Sequence, residues 1–325
     1  MTDLVCLAAL ALSLAQGTDA PSVPAAEPLT ARVAVVGASL SAGTGNSLEL
    51  ITPKDVPLGR FLGCILPSEG VSLSDRGDIW FFTDPVAKGQ KQVDGAVAEA
   101  PTLVVAVDFL FWYGYGDGFR SDDDRLAQLE VGLAQLDRFN CPIVVGDFPD
   151  ITVALGGKGP LGQPIVTRAM IPNDVALRRL NVRLAQWLAE RPRVAQVPLG
   201  PMLTRMQAGQ ELTMRGNTWQ PASIAEVLQA DLLHPTARGT IWVALATVDV
   251  VARAHPSLDV STLLLDEAKV RERLMAATAD ERAKEQKKRA DREERRQRAD
   301  ERRKKDAGGK DGEVPVGSGA GGGGV

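Results

Sequence analysis

Three side chains of this 325-residue chain have the types and spacing for nucleophilic chemistry. Ser39 lies in "VAVVGASLSAG", residues 33–43, where an apolar run ends at a glycine and passes to a serine between small residues. The C-terminal edge of a parallel strand is where an α/β fold gathers its active site. An ordinary tight strand-to-helix turn has the same composition, so the decision rests on a base elsewhere in the chain. There are two histidines. His255 follows "VVARA" and reads as a cation at a helix C-terminus. His234 stands in "DLLHPTARG", residues 231–239, just ahead of Pro235, a residue suited to the first turn of a helix. Asp231 is three residues earlier, within reach of the imidazole across a short turn. A carboxylate on one ring nitrogen fixes the tautomer and stabilises the imidazolium, and the other nitrogen then takes a serine proton. On spacing alone, Asp231 reads equally well as a helix cap beside an incidental histidine.

With "GASLSAG" near its start and "DLLHPTARG" near its end, the chain resembles the SGNH (GDSL-type) hydrolase family over about residues 31–254. That family carries a Gly-x-Ser block on the first strand and an Asp-x-x-His block before the last helix. In α/β-hydrolases, by contrast, the acid lies well upstream of the histidine. The resemblance implies Ser39 as nucleophile, His234 as general base and Asp231 as its orienting acid, with no metal or organic cofactor. Ala38 replaces the usual aspartate of the first block. The second block implies an oxyanion donor in the N–H of Gly77, in "SDRGDIW", beside the N–H of Ser39; a plain turn glycine is the alternative. The third block falls on Val105-Ala106-Val107-Asp108, where the aspartate is kept and Val107 stands in place of the donor asparagine. Losing one such donor costs about 2.7–4 kcal/mol of transition-state stabilisation. Trp112, Tyr113 and Asn173 are substitute donors to consider. Asp108, Trp112 and Tyr113 are assigned to the substrate side, although the run "FLFWYGYG" reads as readily as core. Asp147 and Asp150, in "GDFPDIT", are either substrate contacts or solvated loop acids.

These residues need a frame to hold them. Apolar strands are expected at 32–38, 102–111, 142–147 and 193–198, with a further short one at 71–74. Amphipathic helices are expected at about 56–66, 84–99, 122–139, 173–190, 222–229 and 236–254. Continuous apolar strands alternating with helices indicate a parallel sheet covered on both faces. The expected fold class is therefore α/β, a three-layer α/β/α sandwich with a flavodoxin-like parallel sheet. "SDDDR" at 121–125 reads as an N-cap and first turn. No phosphate loop, zinc spacing or dinucleotide fingerprint occurs.

The flanks differ from this body. Residues 1–17 carry an apolar run too short for a membrane span and fit a secretory signal, which implies a periplasmic or secreted protein with no span in the mature chain. Residues 18–30 form a Pro/Ala-rich linker, 31–265 the hydrolase-like domain, 266–306 a charged helical or disordered arm and 307–325 a Gly-rich tail. From 267 to 306 there are 16 Lys and Arg against 11 Asp and Glu, a balance of +5 that leaves −9 on the rest of the chain. An acidic body argues against nucleic acid as a partner of the core, while the arm has the charge for weak polyanion contact. Without large apolar residues the arm is expected to stay off the body. The resemblance implies a serine esterase acting on a small-molecule or glycan ester. A non-catalytic SGNH-like binding or cell-envelope module is the competing reading.

Overall fold

The computed structural model describes residues 27–308 except 68, 160, 215, 216, 221 and 222. The expected signal at 1–17, most of the linker and nearly all of the Gly-rich tail lie outside the described residues.

Four strands follow the apolar runs: β1 (Arg32–Val35), β3 (Leu103–Ala106), β4 (Ile143–Gly146) and β5 (Val194–Val197). The less apolar β2 (Ser72–Asp75) forms the edge beside β1. All five pair in parallel in the order β2-β1-β3-β4-β5, which is the flavodoxin-like order with its switch point between β1 and β3. Neighbouring residues on a strand enter opposite cores. Val33, Val35, Val105 and Val144 join one apolar cluster, and Ala34, Val36, Val104 and Val145 join the other. A sheet buried on both faces cannot afford polar alternation, which is why these strands read as unbroken apolar runs.

Three short helices lie close to the sheet edge: α1 (Ser39–Ala42), α2 (Asn46–Leu50) and, after β3, α5 (Phe111–Gly114). The helical layers comprise α3 (Leu58–Ile65), α4 (Pro85–Ala98), α6 (Asp122–Leu136), α7 (Asp174–Ala189), α8 (Leu199–Gln207), α9 (Ala237–Ala254), α10 (Glu267–Ala277) and α11 (Ala279–Gly308). α3, α9 and α10 cover one face; α4, α6 and α7 cover the other. Ser121 caps α6 by accepting from Asp124 N–H at 3.1 Å, with three aspartates in the first turn. A small antiparallel hairpin, β6 (Leu212–Met214) and β7 (Asn217–Trp219), stacks Trp219 on Trp242 of α9.

Three expectations meet a different arrangement. The strand expected at 102–111 stops at Ala106, because Asp108 turns away to serve α1 and the aromatic residues after it wind into α5. The helix expected at 222–229 is a single 3-10 turn at Ile224–Glu226. The arm does dock at its start: Val270 and Leu274 are fully buried against α3 and α9, and Arg238 of α9 bonds Glu267. Two well-spaced apolar residues suffice to seat α10, and only the later part of α11 is exposed along its whole length.

Candidate active site

The site begins at Gly37. Its φ of +153° lies where side chains rarely go, and a Cβ there would stand 2.0 Å from Asp108 Oδ1. The missing side chain therefore admits the Asp108 carboxylate to the start of α1. Gln92 clamps the same peptide, accepting from Gly37 N–H at 2.8 Å and donating to Gly37 C=O at 2.9 Å.

Asp108 is 7% exposed and accepts from Leu40 N–H at 2.8 Å, Ser41 N–H at 3.2 Å and Ser41 Oγ at 2.5 Å, with Ala38 N–H as a further donor. Burial pushes its carboxyl above the ordinary aspartate value, against the pull of these hydrogen bonds. Its side chain is spent on holding α1, which differs from the expected substrate role although Asp108 reaches the cavity wall. Ser41 is fully buried by the same arrangement. Ser39 N–H, between these donors, makes no hydrogen bond among the described residues.

His234 sits on the loop before α9, and Thr236 caps that helix by accepting from Gly239 N–H at 3.1 Å. The cap is thus Thr236 and not Asp231. Asp231 Oδ2 lies 2.8 Å from His234 Nδ1, while Asp231 Oδ1 accepts from His234 N–H at 2.9 Å and Leu233 N–H at 3.0 Å. Leu232 folds the loop back with φ at +56°, a strained value for a leucine. Burial alone would raise the Asp231 carboxyl, but the hydrogen bond and charge of His234 and the two N–H groups hold it below the ordinary value. With Nδ1 engaged, Nε2 is the ring nitrogen left to exchange a proton.

Ser39 and His234 line one cavity of about 120 Å³, together with Asp108. The rest of the wall is apolar, and α8 supplies Leu199, Met202, Leu203 and Met206 to it. Sequence reasoning missed α8, although 199, 202, 203 and 206 have the i, i+3, i+4, i+7 spacing of a helix face. Gly200 and Pro201 obscured it. Asp147 anchors its first turn by accepting from Gly200 N–H at 2.8 Å, so this acid is a cap.

The other expected residues are placed as follows. Gly77 lies against α1, where a Cβ would come within 2.5 Å of Ala42 N, and its own N–H makes no hydrogen bond among the described residues. Val107 is buried in the same apolar cluster as Met202 and Val227 of the cavity wall. Tyr113 is fully buried on the other face of the sheet, where its hydroxyl meets Pro85 C=O at 2.8 Å and Gln135 Oε1 at 2.5 Å. Trp112 packs on Phe82 and Phe111 and does not line the cavity. Both differ from the expected substrate side because their rings complete the packing between layers. Asn173 caps α7, and Asp150 accepts from Thr152 N–H at 2.8 Å on an exposed loop. Among the described residues, no group of side chains could hold a metal ion, and no helix is long and apolar enough to cross a membrane.

No family model and no curated protein matches this chain. Several solved structures are similar to it. TesA is 19% identical, covering 70% of this chain and 99% of its own, with a TM-score of 0.39. A catalytic mutant of Axe2, an acetylxylan esterase from Geobacillus stearothermophilus, is 14% identical over 69% of this chain and 93% of its own, with a TM-score of 0.40. A GDSL-like lipase from Bacteroides thetaiotaomicron is 13% identical over 72% and 93%, with a TM-score of 0.38. At these scores the likenesses carry no weight for the chemistry.

Proposed function

We propose that the chain is a serine ester hydrolase of the SGNH type. The observation that carries this reading is the Asp231–His234 hydrogen bond at the cavity that also holds Ser39. His234 Nε2 takes the proton of Ser39 Oγ as that oxygen attacks the ester carbonyl. Asp231 holds the ring by Nδ1 and stabilises the imidazolium. The oxyanion draws on the unpartnered N–H groups of Ser39 and Gly77. The alcohol leaves with the proton from His234, and water attacks the acyl-enzyme by the reverse proton path. Val107 adds no donor, so the chemical step runs slower than with a third one. The buried valine favours the second reading, a binding module that has kept the fold.

Reaction with a fluorophosphonate probe, followed by peptide mapping, tests the assignment. Labelling should fall on Ser39 and vanish in a folded Ser39→Ala variant, with the melting temperature as control. Ser41→Ala should still be labelled, because Ser41 Oγ is buried and bonded to Asp108. Undiminished labelling of folded Ser39→Ala would overturn the nucleophile, and an unlabelled parent would favour the binding module.

A further inference from the structure

The cavity lined by Ser39 and His234 is small and mostly apolar. Among the described residues its only other polar side chain, Asp108, is already engaged at α1. One wall is the α8 face of Leu199, Met202, Leu203 and Met206; Val227 and Val243 stand among the other lining residues. A hydroxyl or charge carried into this space would lose water and find no partner. The cavity therefore suits an aliphatic group. Its volume, about 120 Å³, sets how much of a chain it can surround. An engineered apolar cavity of about 150 Å³ binds benzene, so this one takes an aliphatic group of about four to six carbons. An acetyl group would leave most of the lining without contact, and each unfilled gap forfeits dispersion attraction.

We propose that the cavity reads about the first four to six carbons of an aliphatic acyl chain, through the α8 face with Met202 and Met206 as its adjustable wall. This inference rests on Ser39 and His234 as the reacting pair, which places the carbonyl at Ser39 and the chain in the cavity. Each methylene buried there is worth about fourfold.

Two measurements test it. In Ser39→Ala, binding of straight-chain carboxylates from acetate to decanoate is titrated by calorimetry. In the parent, kcat/KM is measured for the p-nitrophenyl esters of the same acids. Both series should climb about fourfold per methylene to about six carbons and then level off. Met202→Trp or Met206→Trp should lower the hexanoate-to-acetate ratio of kcat/KM by about tenfold, as the indole fills the space. Should either fail to fold, Met202→Ala and Met206→Ala should move the plateau to longer chains. Graded binding without turnover would leave the pocket standing and overturn the catalytic reading. Turnover without gradation, or a preference for acetate, would overturn the pocket and leave the esterase.

Discussion

Two aspartates with opposite shifts frame the site. Asp108 is raised because burial outweighs its donors, and Asp231 is lowered because His234 and two N–H groups outweigh burial. The lowered carboxyl carries a pH signature. A group whose folded value lies below its unfolded one contributes stability that is fully present above the unfolded value, here 3.8, and lost as pH falls through the folded value. Asp231→Asn should therefore melt below the parent at pH 7, and the gap should close in the acid range under that value. Thermal melts of both proteins across pH 2.5–7 read this out, where ~2.5 is chosen to lie well below an ordinary aspartate. A gap that stayed constant to the lowest pH would mean that the loop depends on Asp231 for shape alone.

Among elements, the decisive join lies between the end of α1 and the loop that carries His234, and Gln229 makes it. Its Nε2 donates to Thr44 C=O at 2.7 Å and to Pro235 C=O at 2.8 Å. Its backbone N–H donates to His234 C=O at 2.8 Å, and its C=O accepts from Leu232 N–H at 2.9 Å. Gly45 makes room, since a Cβ there would stand 2.3 Å from Gln229 Oε1. Gln229 thus ties the loop of His234 to the turn after α1, and under the proposed mechanism it is the residue that registers His234 against Ser39. Gln229→Ala should slow fluorophosphonate labelling and lower kcat by about 10-fold or more with little change in KM, since small misplacements cost large factors in rate. Gln229→Glu should be at least as damaging despite its matched length, because a carboxylate would face two carbonyl oxygens. Full activity in the glutamate variant would refute a role that depends on donation.

At the scale of the molecule, two cores share one sheet, and the charged C-terminal segment is divided. Its first part belongs to the body: Val270 and Leu274 are fully buried, Arg60 bonds Ala277 C=O at 2.9 Å, and Arg282 bonds Leu50 C=O at 3.1 Å. The later turns of α11 are solvated, with i,i+4 pairs such as Glu294–Arg298 along their length. Removing residues 290–325 should leave the melting temperature within about 2 °C, as surface segments contribute little. Removing 267–325 should lower it by about 10 °C, since two buried apolar side chains are worth about 1.5–3 kcal/mol each and each kcal/mol moves a domain of this size by about 2–4 °C. Equal melting of the two truncations would show that α10 does not hold the body together.

The sequence by itself determined the layered parallel sheet, because strands buried on both faces must be apolar throughout and the intervening helices must be amphipathic. The Asp231–His234 pairing was one of two readings its spacing allowed, and the structure decided between them by giving the helix cap to Thr236 and the Asp231 carboxylate to the imidazole. The glycine and small residues around Ser39 marked a tight strand-to-helix turn, and only the tertiary structure shows why Gly37 must be bare, since Asp108 reaches the helix start through the space a Cβ would fill. Packing alone decided the rest. The fate of Tyr113 and Trp112 depended on which layer their rings completed. α8 became a cavity wall because Asp147 caps it and Gly146 leaves space for Leu199, whose Cδ1 would stand 2.6 Å from a Cβ there. The seat of α10 depended on α3 and α9 presenting apolar faces two hundred or so residues apart in sequence from one another, a distance across which no local pattern carries information. Local spacing specifies what a residue can do; only the long-range contacts specify what it faces.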